Sequence, residues 1–174
     1  MSKKYIGIDV GKAGFVAVID DGEYRFCSIG DCDNLSLSKF LLDETLGQSV
    51  AVVIEDVHAL YGSSANGTFE FGWIKGFLIG LLVAHKIPYT LVQPKEWQGT
   101  IWTSADMVVN HKKVTQKNGK VINRKETDTK ATSINAAQRL FPSVDFRRNE
   151  RCKKIDDNKV DALLMAEYAR RNNL

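Results

Sequence analysis

The sequence of 174 residues contains three cysteines and no long uninterrupted apolar run. Cys27, Cys32 and Cys152 are odd in number and lack metal-binding spacing, which predicts a reducing compartment and no disulfide framework. The longest apolar stretch, Gly76 to Ala84, is too short to span a bilayer. A secretory leader is not recognisable, because Met1 to Lys4 leads directly into a predicted strand. We therefore expect a cytoplasmic protein with no membrane partner.

The composition is that of an ordinary soluble domain, with 44% hydrophobic and 26% charged residues. A chain of this length can bury a sizeable core, so we expect a single domain over residues 1–174. Basic residues are concentrated in one block: residues 95–154 carry 14 basic and 6 acidic side chains, against 7 and 11 in residues 1–94. This block predicts a polyanionic partner, although a solvated lysine-rich loop would show the same bias.

Short apolar runs bounded by glycine predict a three-stranded meander at the start of the chain. Tyr5–Asp9 and Phe15–Ile19 are rich in β-formers, and Asp21–Gly22 is a hairpin signal that leads into a third strand, Glu23–Ile29. A continuous apolar run, Val50–Glu55, is typical of a central strand buried on both faces. These runs indicate an α/β fold built on a central sheet.

Helical spacing of apolar residues predicts most of the remaining elements. They are a helix between Ser36 as N-cap and Gly47, a long helix at about Thr68–His85, a strand at Pro88–Val92, a turn or short helix from Pro94, a helix from Asp128 or Thr129 to Leu140, and a last helix from about Asp156. The period is lost at about 103–127, where basic residues accumulate. That segment predicts a mobile basic loop, or a hairpin with its turn at Asn118–Gly119.

Four acidic residues lie where a carboxylate is unfavourable without a partner. Asp9 and Glu55 each end a predicted buried strand, while Asp157 and Asp161 lie one turn apart at the start of the last helix. Three of them also have a purely structural explanation. Asp9 could cap the turn, Glu55 could mark the exit of its strand to solvent, and Asp157 could be stabilised by the helix dipole at the start of the last helix. Carboxylates are preferred ligands of Mg²⁺ and Mn²⁺, and two such ions about 4 Å apart promote in-line displacement at phosphate. With the basic block, these acids predict metal-dependent phosphodiester hydrolysis.

The order of elements and motifs resembles the ribonuclease H-like fold, with a central mixed five-stranded sheet flanked by helices. Within that fold the chain is similar to the RuvC-type Holliday junction resolvases, especially the short phage-encoded forms. The matching segments are Ile6–Gly11, Ile54–Val57, the glycine-rich helix from Phe71 to Leu82, Val92–Trp97 and Asp157–Leu163. The resemblance implies a structure-selective endonuclease that uses Mg²⁺, with Mn²⁺ as a substitute, to cleave four-way junctions and other branched DNA. Its products would carry a 5′-phosphate and a 3′-hydroxyl.

By position, the resemblance assigns Asp9, Glu55 and Asp161 to the metal carboxylates of this family. Bacterial members usually place Asp or His three residues before the last of these, where this chain has Asn158. Asp157, four residues before, matches the spacing of fungal mitochondrial and poxviral relatives, so we expect Asp157 as the fourth ligand. Asp156 is the second candidate.

The resemblance and the charge distribution together predict a set of DNA-contacting residues. They are Lys112, Lys113, Lys117, Lys120, Arg124, Lys125, Lys130, Lys153 and Lys154. Lys130 resembles a family lysine near the DNA backbone. We expect the segment from His111 to Lys125 to be disordered until DNA binds. Tyr61, in the loop after Glu55, could stack on an unpaired base or pack locally.

Two matched nicks in a junction of near two-fold symmetry require two active sites, which predicts a C₂ homodimer. The long helix is the expected interface. One face of this helix is expected to pack on the chain's own core, and it carries Phe69, Trp73 and Phe77. The residues expected to contact the partner lie off that face: Ile74, Leu78 and Ile79. Gly72, Gly76 and Gly80 would permit close approach.

Three rival functions remain open at this point. A kinase-like ATP-binding half would use the Asp9–Gly11 motif, but the chain is short for it and shows no second phosphate loop. A non-catalytic binder of branched DNA is compatible with Asn158. Another ribonuclease H-like nuclease or a transposase would share the acids and differ in substrate.

Overall fold

The computed structural model describes residues 3–57, 64–115 and 121–174, with only the backbone at Val114. Predictions made for Tyr61, Lys117, Lys120 and the turn at Asn118–Gly119 lie outside these ranges.

A mixed five-stranded sheet forms the centre of the chain, as the sequence predicts. Its strands are β1 (Lys4–Ile8), β2 (Phe15–Asp20), β3 (Glu23–Ser28), β4 (Val50–Glu55) and β5 (Tyr89–Val92). The strand order is β3-β2-β1-β4-β5, with antiparallel pairing of the first three and parallel pairing of β1, β4 and β5. Because parallel strands end at the same edge, residues that follow β1, β4 and β5 are brought together there.

In the described ranges, five helices cover both faces of this sheet. They are α1 (Asn34–Thr45), α2 (Ala65–Ala84), α3 (Pro94–Ile101), α4 (Thr129–Leu140) and α5 (Asp157–Arg171). One core lies between the sheet and α3, α4 and α5, and the second lies between the sheet and α1 and α2. Asp33, rather than the expected Ser36, caps α1, since its carboxylate accepts a hydrogen bond from the Ser36 N–H at 2.7 Å.

The face assignment of α2 made from sequence is wrong. Ile74, Leu78 and Leu82 are the residues of α2 buried in the core, whereas Phe69 and Trp73 are 76% and 49% exposed. α2 is apolar on nearly every side, so its spacing alone does not identify the inward face. By length and composition α2 could also cross a membrane. Only 17% of its most apolar 18 residues are buried within the chain.

The basic segment contains two paired strands, which agrees with the second of the two alternatives that the sequence left open, a hairpin, and not with the first, a mobile loop. β6 (Val109–Thr115) and β7 (Val121–Thr127) form a separate two-stranded antiparallel sheet in the structure of the chain alone. The expectation of disorder without DNA is therefore wrong for these two strands. We name this pair the basic ribbon.

Gly7 lets α5 pack directly on the middle of β1. A Cβ atom at this position would clash with backbone atoms of α5, the carbonyl oxygen of Ala162 and the amide nitrogen of Ala166. The glycine of the first motif therefore sets the distance between α5, which carries Asp161, and β1, which Asp9 follows.

We predict that Gly7→Ala lowers the free energy of unfolding by roughly 1–3 kcal/mol or more, because the added methyl group must displace helix backbone. Gly99→Ala is the matched control: an added Cβ meets no atom there, and alanine favours the α3 helix. Urea unfolding of both variants measures the difference. An unchanged midpoint for Gly7→Ala would contradict the close approach.

Candidate active site

Asp9 and Glu55 lie side by side because they end two neighbouring parallel strands. Asp9 directly follows β1, and its N–H donates to the carbonyl of Phe15 at 3.0 Å, which closes the turn. Glu55 is the last residue of β4, the parallel neighbour of β1. Both side chains line one open cavity together with Asn158 of α5. The structure thus brings two of the predicted acids together at the carboxyl edge of the sheet.

Asp161 reaches the same place from α5. The two residues that follow it, Ala162 and Leu163, are fully buried, and α5 packs across β1 and β4. The Oδ1 atom of Asp161 is buried and has no hydrogen-bond partner among the described residues. A buried carboxylate oxygen without a partner is unfavourable, so a cation or a water molecule bound at this atom would stabilise it.

Burial acts on all three carboxylates, and nearby negative charges act on two of them. Burial raises the pKa of Asp9 well above its usual value, and the nearby charges of Glu55, Asp161 and Asp157 raise it further. Burial raises the pKa of Asp161 to about 7, against a smaller opposing effect of a hydrogen bond with Ser133. Burial also raises the pKa of Glu55. Each acid therefore favours a proton, or a cation in its place, over a bare negative charge.

Trp97 holds Glu55, a contact that sequence reasoning missed. Its indole Nε1 donates to Glu55 Oε1 at 3.1 Å, and its ring is completely buried in the core. Trp97 lies on α3, which begins two residues after β5 with Pro94 at its first position. A fully buried tryptophan needs a partner for its N–H, and this general rule was the available signal.

The fourth carboxylate is less closely associated with the cluster. Asp157 pairs with Lys130 of α4 and does not line the cavity that Asp9 and Glu55 share. Asp156, the second candidate, caps α5 and pairs with Arg148 at 3.0 Å. Asn158 lines the cavity, and its Nδ2 donates to Asp156 at 3.2 Å. Asp156 is therefore engaged by both the helix cap and Arg148, whereas the pair with Lys130 is the contact described for Asp157.

The donor set fits hard divalent cations. The described residues contain no group of three His, Cys, Asp or Glu side chains already arranged around one point as metal ligands. Two of the carboxylates have other partners in this structure: Glu55 accepts a hydrogen bond from Trp97, and Asp157 pairs with Lys130. The converging oxygens and the unpartnered Oδ1 of Asp161 nevertheless match the all-oxygen chemistry of Mg²⁺ and Mn²⁺.

The predicted basic residues lie in two places near the acids. Lys153 and Lys154 line a second cavity with Asp156 and Asp157. Lys130 forms an ion pair with Asp157. The remaining described members belong to the basic ribbon, where all are exposed: Lys112, Lys113, Arg124 and Lys125.

Arg148 is a second residue that sequence reasoning missed. Its guanidinium donates to Asp156 at 3.0 Å, to the carbonyl of Ala13 at 3.2 Å, to Ser28 at 2.7 Å and to Asp31 at 2.9 Å. These contacts tie the cap of α5 to the turn after β1 and to the end of β3. Arg148 therefore positions the helix of Asp161 against the strand end of Asp9.

We predict that the metal-free protein is less stable at pH 8 than at pH 5.5. The folded chain keeps a proton on Asp161 up to a pKa of about 7, whereas the ordinary pKa of this carboxyl group is 3.8, so unfolding becomes easier as pH rises between these two values. Asp161→Asn should remove much of that pH dependence and raise Tm at pH 8. Thermal melts in EDTA at both pH values measure it.

Asp145→Asn is the control, because it removes an exposed carboxylate whose pKa is lowered by Arg147 to about 2 and which does not titrate in this range. An Asp161→Asn variant with the same pH dependence as the wild-type chain would contradict the assignment.

Comparison with known proteins gives the fold a name. No protein-family model matches the sequence, and no curated protein matches it either. Two solved structures of RuvC from Thermus thermophilus match in fold. One, in complex with a Holliday junction substrate, has a TM-score of 0.58 and 11% identity, covering 97% of this chain and 96% of that chain. The other has a TM-score of 0.52 and 10% identity, covering 98% and 96%. The chain therefore has the ribonuclease H-like fold of RuvC, as the sequence predicts.

Proposed function

We propose that this protein is a divalent-metal-dependent endonuclease that cleaves four-way DNA junctions and other branched DNA in the cytoplasm, related to the short phage-encoded resolvases. The observation that carries the proposal is the buried Oδ1 atom of Asp161, which has no hydrogen-bond partner among the described residues, in a carboxylate close to Asp9 and Glu55. Structural acids are normally paired with bases, and no ion pair is seen for these three acids among the described residues. The fold shared with a protein solved on a Holliday junction supports the choice of substrate.

The chain's own groups supply positioning and charge. Asp9, Glu55 and Asp161 would hold the cations, with Asp157 as the fourth ligand. When bound, Mg²⁺ or Mn²⁺ activates water and stabilises the charge that develops at the scissile phosphate. Trp97 fixes the carboxylate of Glu55, and Arg148 fixes the start of α5. Lys130 pairs with Asp157 in this structure. Once Asp157 binds a cation, Lys130 would contact a phosphate oxygen instead.

Homodimerisation is part of the proposal, through the face of α2 that the structure leaves exposed. This face carries Phe69, Trp73 and Val83, and Trp73 stacks on Phe77 with ring centroids 5.8 Å apart. Added Cβ atoms at Gly72, Gly76 and Gly80 meet nothing, so a second backbone could approach closely along this stripe. A C₂ dimer would cover the apolar face and would provide two active sites for two opposing strands.

We predict that Asp9→Asn, Glu55→Gln, Asp157→Asn and Asp161→Asn each abolish cleavage and leave junction binding intact or tighter. Each change removes a ligand oxygen charge, and none removes a base that contacts phosphate. Cleavage and gel-shift assays on a four-way junction, with Mg²⁺ or EDTA and with linear duplex as control, separate the two effects.

The same assay distinguishes the rival functions. Binding without Mg²⁺-dependent cleavage by the wild-type protein would identify a non-catalytic binder, and equal cleavage of linear duplex would identify another ribonuclease H-like nuclease. Full activity of Asp157→Asn would move the fourth ligand to Asp156 or Asn158. Loss of binding in any of the four variants would indicate a structural role.

We predict that Phe69→Glu weakens the dimer by roughly tenfold or more, because it places a charge in the centre of an apolar interface. Leu35→Glu is the matched control, since Leu35 is 80% exposed on α1. Leu78→Glu, in contrast, should unfold the chain, because Leu78 is fully buried. Sedimentation velocity at micromolar concentration measures the assembly. A monomeric wild-type protein would exclude the dimer, and recovery only in detergent would assign the face to a membrane.

A further inference from the structure

The basic ribbon carries like charges directly opposite each other. Lys112 pairs with Arg124 in the register of β6 and β7. Like charges at opposed positions destabilise a ribbon, and two strands alone are only marginally stable in water. A polyanion lying against the ribbon would convert this repulsion into attraction.

The alternation of side chains divides the ribbon into two faces. Opposed residues project from the same face, and neighbours along a strand project from opposite faces. The first face, called the inner face here, carries Asn110, Lys112, Arg124 and Glu126. The outer face carries His111, Lys113, Asn123 and Lys125.

The base of the ribbon is fixed to α4, so its direction is set by the chain itself. The N–H of Val108 donates to the Thr132 hydroxyl at 3.1 Å, and the N–H of Asp128 donates to the carbonyl of Val108 at 2.8 Å. Asp106, which is buried, accepts two hydrogen bonds from Arg139 at 2.8 and 2.7 Å and holds the turn before β6.

The inner face continues into the candidate active site. Asn110 Nδ2 donates to Asp128, the cap of α4, at 3.2 Å. A cavity between ribbon and helix is lined by Asn110, Lys112, Glu126, Thr127, Asp128, Thr129 and Lys130. Lys130 in turn pairs with Asp157. Lys112 and Lys130 thus line one cavity, Arg124 lies opposite Lys112 on the same face, and Lys130 connects the cavity to Asp157. The basic residues of the outer face are not among those that line this cavity.

We infer that the inner face holds the phosphate backbone of the DNA duplex arm that enters the active site, through Lys112 and Arg124, and that the outer face stays solvated. The inference rests on the proposed nuclease function and refines it, because it assigns DNA contact to only half of the ribbon's cations. Without DNA, Lys112 forms an ion pair of 2.7 Å with Glu126. The side chain of Lys112 is 67% exposed and that of Glu126 is 54% exposed. An exposed pair of this kind is weak and exchanges readily for phosphate.

Two charge-matched double variants test the inference on the full-length protein. Lys112→Ala/Arg124→Ala removes two cations from the inner face, and Lys113→Ala/Lys125→Ala removes two from the outer face. Junction binding is measured in EDTA across a salt series. The inner pair should reduce the slope of log K against log salt by about two units, whereas the outer pair should leave it nearly unchanged.

Glu126→Gln gives a readout that misfolding cannot imitate. It removes the competitor for Lys112, so junction binding should tighten, by up to about fivefold. Unchanged or weaker binding by Glu126→Gln would overturn the inference. An equal reduction of the salt slope by the two double variants, or a larger reduction by the outer pair, would also overturn it. Those outcomes leave the nuclease proposal standing, since cleavage by the wild-type protein is measured in the same series. Failure of the wild-type protein to bind or cleave junctions would overturn the proposed function itself.

Discussion

Asp9, Glu55 and Asp161 repel one another in a place that water only partly reaches, and the surrounding structure is arranged to hold them there. Burial raises the pKa of each carboxyl, and the other two charges add to the effect on Asp9. Gly7 lets α5 approach β1, and Arg148 ties the cap of α5 to the turn after β1. The fold therefore supports an arrangement that is unfavourable without a bound cation.

Much of this arrangement could be predicted from the sequence, because it depends on strand ends and helix spacing. Buried strands have a clear apolar pattern, and an acid at the end of such a strand is conspicuous. Parallel pairing of β1 and β4 then places Asp9 beside Glu55. The spacing of Asp157 and Asp161 required only the period of a helix, although the pairing of Asp157 with Lys130 did not follow from it.

The remaining features depend on contacts that no local pattern specifies. α2 is apolar all round, so the packing of Leu78 inside and Phe69 outside is decided by the shape of the sheet and not by the spacing. The basic ribbon lacks a core-facing period and carries like charges, so the sequence left a loop and a hairpin open, and the pairing of β6 with β7 follows only from the structure. Trp97 reaches Glu55 across separate elements, a contact between residues far apart in sequence.

The central claim is that these acids are kept together for divalent cations. Calorimetric titration of the DNA-free protein with Mn²⁺ at pH 7, in two buffers of different ionisation enthalpy, tests it most directly. The account predicts binding accompanied by proton release, because Asp161 has a pKa of about 7 and must lose its proton to become a ligand. Asp161→Asn should weaken binding and reduce the released protons. No binding at millimolar Mn²⁺, or binding unaffected by Asp161→Asn, would contradict the account.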